Sequence, residues 1–132
     1  MSKVRSKDSK PELLLRRTLW QRGRRYHLHA SDLPGRPDIV FRRAKVAVFV
    51  DSDWWHGRIL REKGEAELRK HIRGSRQDWW AAKLIRNVER DSEVTTELQA
   101  RGWTVVRLWT SEIKDDPHAA ADQVEGVLNS SG

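Results

Sequence analysis

Two apolar runs separated by three residues do most to limit what this chain can become. Asp38-Ile39-Val40-Phe41 and Lys45-Val46-Ala47-Val48-Phe49-Val50-Asp51 flank the basic turn Arg42-Arg43-Ala44. The runs read as two buried strands, and so short a connection requires antiparallel pairing. In such a hairpin the start of one strand lies beside the end of its partner. Asp38 opens the first strand, directly after the turn Leu33-Pro34-Gly35-Arg36-Pro37, and Asp51 closes the second. The two carboxylates are therefore expected at one edge of a sheet. Bringing two acids together at low dielectric is costly unless a cation neutralises them. Hard oxygen ligands with open positions suit Mg²⁺, which keeps waters and binds substrate phosphate. Turn or cap duty is the alternative for two such aspartates; the apolar strands, the basic surroundings and Glu12 nearby favour a metal site.

The rest of the chain supplies layers for this hairpin. Ser9-Lys10-Pro11-Glu12 reads as a helix start, with Ser9 or Lys10 near the cap and Pro11 in the first turn. Leu13, Leu14, Leu15, Leu19 and Trp20 give that helix an apolar face, and Gly23 ends it. Tyr26, Leu28 and Ala30 alternate as a short strand. Residues 57–77 are mixed in charge and predicted helical from Leu60 to Ile72. A long helix is expected from Asp78 to Ala100, with Trp79, Leu84, Val88, Val94 and Leu98 on its inner side, stopped by Arg101-Gly102. Trp103 to Trp109 reads as a strand and Pro117 to Leu128 as a closing helix. The fold class is α/β, a mixed β-sheet flanked by α-helices, in a single domain over 1–132 with residues 1–10 as a mobile basic arm.

Lysine and arginine outnumber acids 26 to 19, a formal net charge of +7. That excess favours a polyanionic partner, nucleic acid being the commonest, with a merely soluble basic protein as the plain alternative. The sequence has no cysteine, which excludes disulfides and thiolate metal sites. No apolar run approaches the roughly 20 residues of a membrane span, and the basic N-terminus does not lead into a signal-peptide core. The expected location is cytoplasmic, on the nucleoid.

Asp51-Ser52-Asp53-Trp54-Trp55-His56 is the most informative stretch. A neutral imidazole at His56, just past the metal-site strand, could accept a proton from an attacking water; a structural histidine is the competing role. Adjacent tryptophans in a polar loop ending in Gly57 are hard to bury on one face, and flat aromatic surfaces stack on bases or wedge between them.

These residues resemble the very-short-patch-repair (Vsr) endonucleases. The matching segments are Lys7-Asp8-Ser9-Lys10-Pro11-Glu12, Leu33 to Val40, Val46 to Asp51, Trp54-Trp55-His56-Gly57, Lys83 with Asn87, Arg90 and Asp91, and Gly102-Trp103 to Trp109. They run in family order over roughly residues 1–112. The resemblance implies a restriction-endonuclease-like (PD-(D/E)xK-type) fold and Mg²⁺-dependent nicking of one DNA strand beside a T:G mismatch, with Mn²⁺ able to substitute. It implies that Asp38, the Val50 main-chain carbonyl and Asp51 hold metal, that His56 is the general base and that Glu12 is a supporting acid. It also implies that Trp54 and Trp55 form a wedge at the mismatch, that Met1 intercalates, and that Lys83, Asn87 and Arg90 contact DNA. A monomer acting on mismatched duplex DNA, alongside mismatch-repair proteins, completes the expectation.

The sequence departs from the family where a structural zinc is usually bound. Asp53 and Ser111 stand at two cysteine positions, so no structural zinc is expected. Ion pairing among Glu62, Glu65 and Glu67 with Arg61, Lys63, Arg69 and Lys70 is expected to brace the loop instead. Two other readings stay open: a DNA-binding module that has lost catalysis, and a nuclease of the same fold that cuts other DNA substrates.

Overall fold

A computed structural model describes residues 9–131, Ser131 by its backbone alone. Met1 and most of the expected basic arm lie outside the described residues. The elements in chain order are α1 (Lys10–Gln21), β1 (His27–Leu28), β2 (Ile39–Phe41), β3 (Val46–Asp51), α2 (Arg58–Lys63), α3 (Glu65–Lys70), α4 (Gln77–Ala100), β4 (Thr104–Trp109), α5 (Thr110–Asp115) and α6 (Pro117–Ser131). The four strands form one mixed sheet in the order β1-β2-β3-β4.

The hairpin forms as its composition dictates. β2 pairs antiparallel with β3, Ile39 opposite Val48 and Phe41 opposite Val46. β4 joins the other side of β3 in parallel, Val46 opposite Thr104 through Asp51 opposite Trp109. A parallel neighbour needs a crossover, and α2 to α4 supply it. Because helices cover both faces, β3 is apolar at almost every position rather than at alternate ones. Val46 and Val48 face one core with Ile39, Phe41, Val106, Leu108 and the helices α1, α5 and α6. Ala47 and Phe49 face the other with Val40, Trp103 and Leu98 of α4. A third cluster joins Leu68 and Ile72 to Leu84.

In α1 the Ser9 hydroxyl caps the Glu12 N–H at 3.3 Å, as its position before Pro11 predicts. Leu15 and Leu19 are fully buried, and Glu12 lies on the same inward face at 0 % exposure, whereas Leu13 and Trp20 point outward. Exposed Trp20 is covered instead by the Arg25 guanidinium, 3.4 Å from the ring centroid.

Other expectations need correction. Trp79 is half exposed rather than on the inner side of α4, where Ala81, Leu84 and Leu98 are buried. Positions 81, 84 and 98 share one helical face, and residue 79 lies off it. The helix expected from Leu60 to Ile72 is broken at Gly64, whose φ of +92° no continuing helix allows. The short strand expected over Tyr26, Leu28 and Ala30 shrinks to His27–Leu28, since His29 takes a positive φ of 48°. Thr110–Asp115 forms a short helix that the sequence did not announce. No helix among the described residues is long and apolar enough to cross a membrane.

Candidate active site

The start of β2 and the end of β3 meet at one cleft, of about 190 Å³, lined among others by His29, Asp38, Val50, Asp51 and His56. Larger hollows exist, one of 830 Å³ along β4 and α6, but that one holds no carboxylate or imidazole. The smaller cleft is the one that gathers acids and imidazoles.

Backbone pairing fixes Asp38 at its floor. The Asp38 N–H donates to the Val48 carbonyl at 3.0 Å and the Asp38 carbonyl accepts the His29 N–H at 3.0 Å. The side chain turns back, Oδ2 accepting the Val50 N–H at 2.7 Å. Since N–H and C=O of one strand residue point the same way, the Val50 carbonyl also faces the β2 side. Ladder continuation would need the Arg36 N–H, which bonds the Leu33 carbonyl instead, and Pro37 has no N–H. The Val50 carbonyl thus has no donor among the described residues.

Asp38 is 9 % exposed. Burial lifts its carboxyl to about 7 despite the Val50 N–H, and the negative charges of Glu12 and Asp51 push the same way. Such a carboxyl is short of positive charge. Asp51, 2 % exposed, receives the Arg107 guanidinium at 3.2 and 3.1 Å. Arg107 also donates to Thr95 Oγ1 and to the Asp91 carbonyl, so β4 and α4 together hold Asp51.

His56 stands over Asp51, its Nδ1 3.7 Å from Oδ1, and is gripped by Asp91 at 2.6 Å. Burial lowers its pKa, but the Asp91 hydrogen bond and the Asp51 charge outweigh that and leave it above the ordinary histidine value. With Nδ1 engaged, Nε2 is the ring atom left for a reacting group. Gly57 lets this loop lie against α4. Its φ is +66°, and a Cβ there would come within 2.7 Å of Val88 Cγ2.

Potential metal-ligating groups therefore fall into two clusters, each with its ligand atoms within 4.8 Å of one another: Glu12, His29 and Asp38, and Asp51, His56 and Asp91. The expected Asp38, Val50, Asp51, His56 and Glu12 all gather around the cleft. His29 and Arg107 were missed, and Asp91 was named in a matching segment without a role. Asp91 had a signal in its spacing of four from Asn87, which repeats the spacing of Asn87 from Lys83 on one helix face.

The aromatic loop sits beside the cleft. Trp54 is drawn into the third cluster, edge-on to Trp80 at 5.8 Å between centroids. Trp55 leans on Trp80 at 5.4 Å, and exposed Trp79 meets it edge-on at 5.0 Å. Asn87 donates its amide to the Trp55 carbonyl at 2.8 Å, which ties the loop to α4. Lys83 and Arg90 are exposed on the same helix.

At the two positions where cysteines were expected in relatives, a polar clamp forms. Asp53 Oδ1 accepts from Thr110 Oγ1 and Ser111 N, both at 3.0 Å. Oδ2 accepts from Ser111 Oγ at 2.7 Å and Arg58 Nη1 at 3.0 Å. Arg58 extends the clamp to Glu62 and Glu112. The ion pairing expected among charges in residues 61–70 forms in part. Glu65 and Glu67 pair within α3 with Arg69 and Lys70, while Arg61 reaches Asp91.

A sequence profile described as DNA mismatch endonuclease Vsr matches residues 1–62. The Type II nicking enzyme V.NmeDIP of Neisseria meningitidis serogroup C is 39% identical over 128 residues, 97% of this chain and 82% of that protein. The Type II nicking enzyme V.HpaIIP of Haemophilus parainfluenzae is 33% identical over 124 residues, covering 94% and 84%. The DNA mismatch endonuclease Vsr of Escherichia coli (strain K12) is 28% identical over 114 residues, covering 86% and 69%.

Proposed function

Since the chain belongs to the Vsr family of DNA endonucleases, we propose that it nicks one strand of duplex DNA at or next to a base mismatch, T:G foremost, in mismatch repair. The observation that carries this reading is the meeting of Asp38, the Val50 carbonyl and Asp51 at one cleft beneath the His56–Asp91 pair. The mixed four-stranded sheet flanked by helices around that cleft supports reading the fold as restriction-endonuclease-like.

The donor set fits a hard divalent cation. Asp38 is a buried carboxyl raised to about 7, Val50 offers a carbonyl with no donor among the described residues, and Asp51 is a second carboxylate. Mg²⁺ suits these oxygens, with Mn²⁺ as a substitute. Such an ion, when bound, neutralises charge on the phosphate and eases ionisation of water. His56 Nε2 takes the proton of the attacking water, and Asp91 holds the ring and stabilises its cationic form. Water oxygen bonds to phosphorus, the bond to the 3′-oxygen breaks, and the leaving oxygen takes a proton from solvent. Glu12 and Arg107 orient the groups that touch substrate. Trp55, backed by Trp80 and Trp79, offers an aromatic surface to unstacked bases, while Lys83, Asn87 and Arg90 line the approach of the DNA. Met1 at the chain start remains a candidate for the same face.

Two of the relatives described above are named nicking enzymes, which favours a second reading of the same chemistry on DNA without a mismatch. The test is a panel of labelled duplexes covering every mismatch and a fully paired control, incubated with Mg²⁺. Nicking confined to mismatched duplexes supports the first reading. Equal nicking of the paired control moves the assignment to the second, and no cleavage of any duplex removes both.

A further inference from the structure

We propose that Glu12, His29 and Asp38 bind a first-row transition ion, of which Mn²⁺ is the probe, and that the His29 imidazole makes this site prefer it to Mg²⁺. The proposal rests on the nuclease reading above and adds a ligand set to it. One imidazole nitrogen and two carboxylate oxygens lie within 4.8 Å of one another. His29 Nε2 and Glu12 Oε2 are 2.9 Å apart, the spacing of neighbouring ligands on an ion with bonds of about 2.1 Å. The Glu12 side chain is fully buried and that of His29 is 14 % exposed.

A histidine–carboxylate hydrogen bond alone would account for that pair, but not for what adjoins it. Buried Asp38 receives one donor, at Oδ2, and Oδ1 has none among the described residues. The Val50 carbonyl beside it is likewise without a donor. Two acceptors without donors among the described residues, the buried Asp38 and the half-buried Val50 carbonyl, next to a nitrogen ligand form an environment for a cation. Among the described residues Arg16 is a competing charge, 3.1 Å from Glu12 Oε2 and 20 % exposed, so an ion must share that oxygen with it. The nitrogen decides the class of ion. Mg²⁺ favours oxygen ligands, whereas imidazole suits first-row ions such as Fe²⁺, Ni²⁺ and Zn²⁺; Mn²⁺ opens that series and is its paramagnetic probe.

The test uses the full chain without DNA. Mn²⁺ uptake is followed by electron paramagnetic resonance, with Mg²⁺ as competitor, and pulsed spectra are read for coupling to an imidazole ¹⁴N. The expected result is displacement of Mn²⁺ by Mg²⁺ only at on the order of tenfold excess, with a ¹⁴N coupling lost in His29→Gln and kept in His56→Gln. Circular dichroism establishes that both variants fold. Absence of ¹⁴N coupling in the wild type, or its persistence in His29→Gln, overturns the proposal. Nicking measured in parallel separates it from the nuclease reading. Cleavage with Mn²⁺ bound through oxygen alone defeats the site and leaves the nuclease. A His29-dependent coupling in a protein that cuts no duplex leaves the site and defeats the nuclease.

Discussion

Removing the Asp53 carboxylate should cost the protein about 2 kcal/mol. In Asp53→Ala four donors lose their acceptor: Arg58 Nη1, Thr110 Oγ1, and the N–H and hydroxyl of Ser111. The Ser111 N–H lies in the first turn of α5, and loss of such a cap costs ~1 kcal/mol. The two hydroxyls can turn toward water, so each contributes roughly 0.5 kcal/mol. The Arg58 pair, with side chains 28 % and 33 % exposed, is screened and adds about 0.5 kcal/mol at most. For a chain of this length ~2 kcal/mol lowers Tm by roughly 6–10 °C. Thermal unfolding by circular dichroism reads this directly, and Asp53→Asn, which keeps a neutral acceptor, should lose about half as much. The difference should also fade in acid. Burial raises the Asp53 carboxyl, but the Ser111, Arg58 and Thr110 donors outweigh it and hold it below the usual carboxylate value. A depressed folded-state pKa stabilises fully above the unfolded value of about 3.9 and is lost as pH falls through the folded one. A drop under about 2 °C at neutral pH, or a gap that widens below pH ~4, would refute the reasoning.

Asp38→Asn should abolish nicking, by at least ~10³-fold, since several kcal/mol of transition-state stabilisation depend on the metal. In metal-free buffer near pH 8 the same variant should melt higher than wild type. A carboxyl raised to about 7 ionises at a cost to the folded state, which loses stability as pH rises from about 3.9 toward 7; a lower Tm would contradict that account. Trp55→Ala should narrow the binding preference for mismatched over paired duplex by about 1–3 kcal/mol, measured by fluorescence anisotropy, and an unchanged ratio would exclude Trp55 from the wedge. Gly57→Ala forces a side chain into a φ of +66° and against Val88, so urea unfolding should register a loss of about 1–3 kcal/mol together with slower nicking. Unaltered stability and rate would show that the loop adjusts freely.

The hairpin and its terminal aspartates were legible because a buried central strand must be apolar throughout, and an acid at its end then has few roles. The Ser9 cap, the long helix to Ala100 and the strand to Trp109 follow from similarly local rules. His29 was not legible: its value comes from Glu12, 17 residues earlier, and from a backbone turn at φ 48° that no propensity announces. Arg107 was equally hidden, since in sequence it is one polar residue among Val105, Val106 and Leu108, and only parallel pairing brings it to Asp51. Trp79 was misjudged because the apolar face was counted from a helix end, where tryptophans can leave the core for the surface. The Asp53 clamp was half visible. The absence of cysteine could be read directly, whereas the partner of Asp53, Arg58, lies beside a segment whose charges were assigned to one another.

The 24 residues of α4 carry more than one side of the core. Trp80 backs the aromatic loop, Asn87 grips its chain at Trp55, and Asp91 steadies His56, all within about 17 Å of rise along one axis. A rod that spans both tasks cannot tilt at one without shifting the other. Bases pressing on the tryptophan end would therefore reset the distance between the imidazole and the acids of the sheet, and under the proposed function a duplex that fails to seat there would leave His56 out of line.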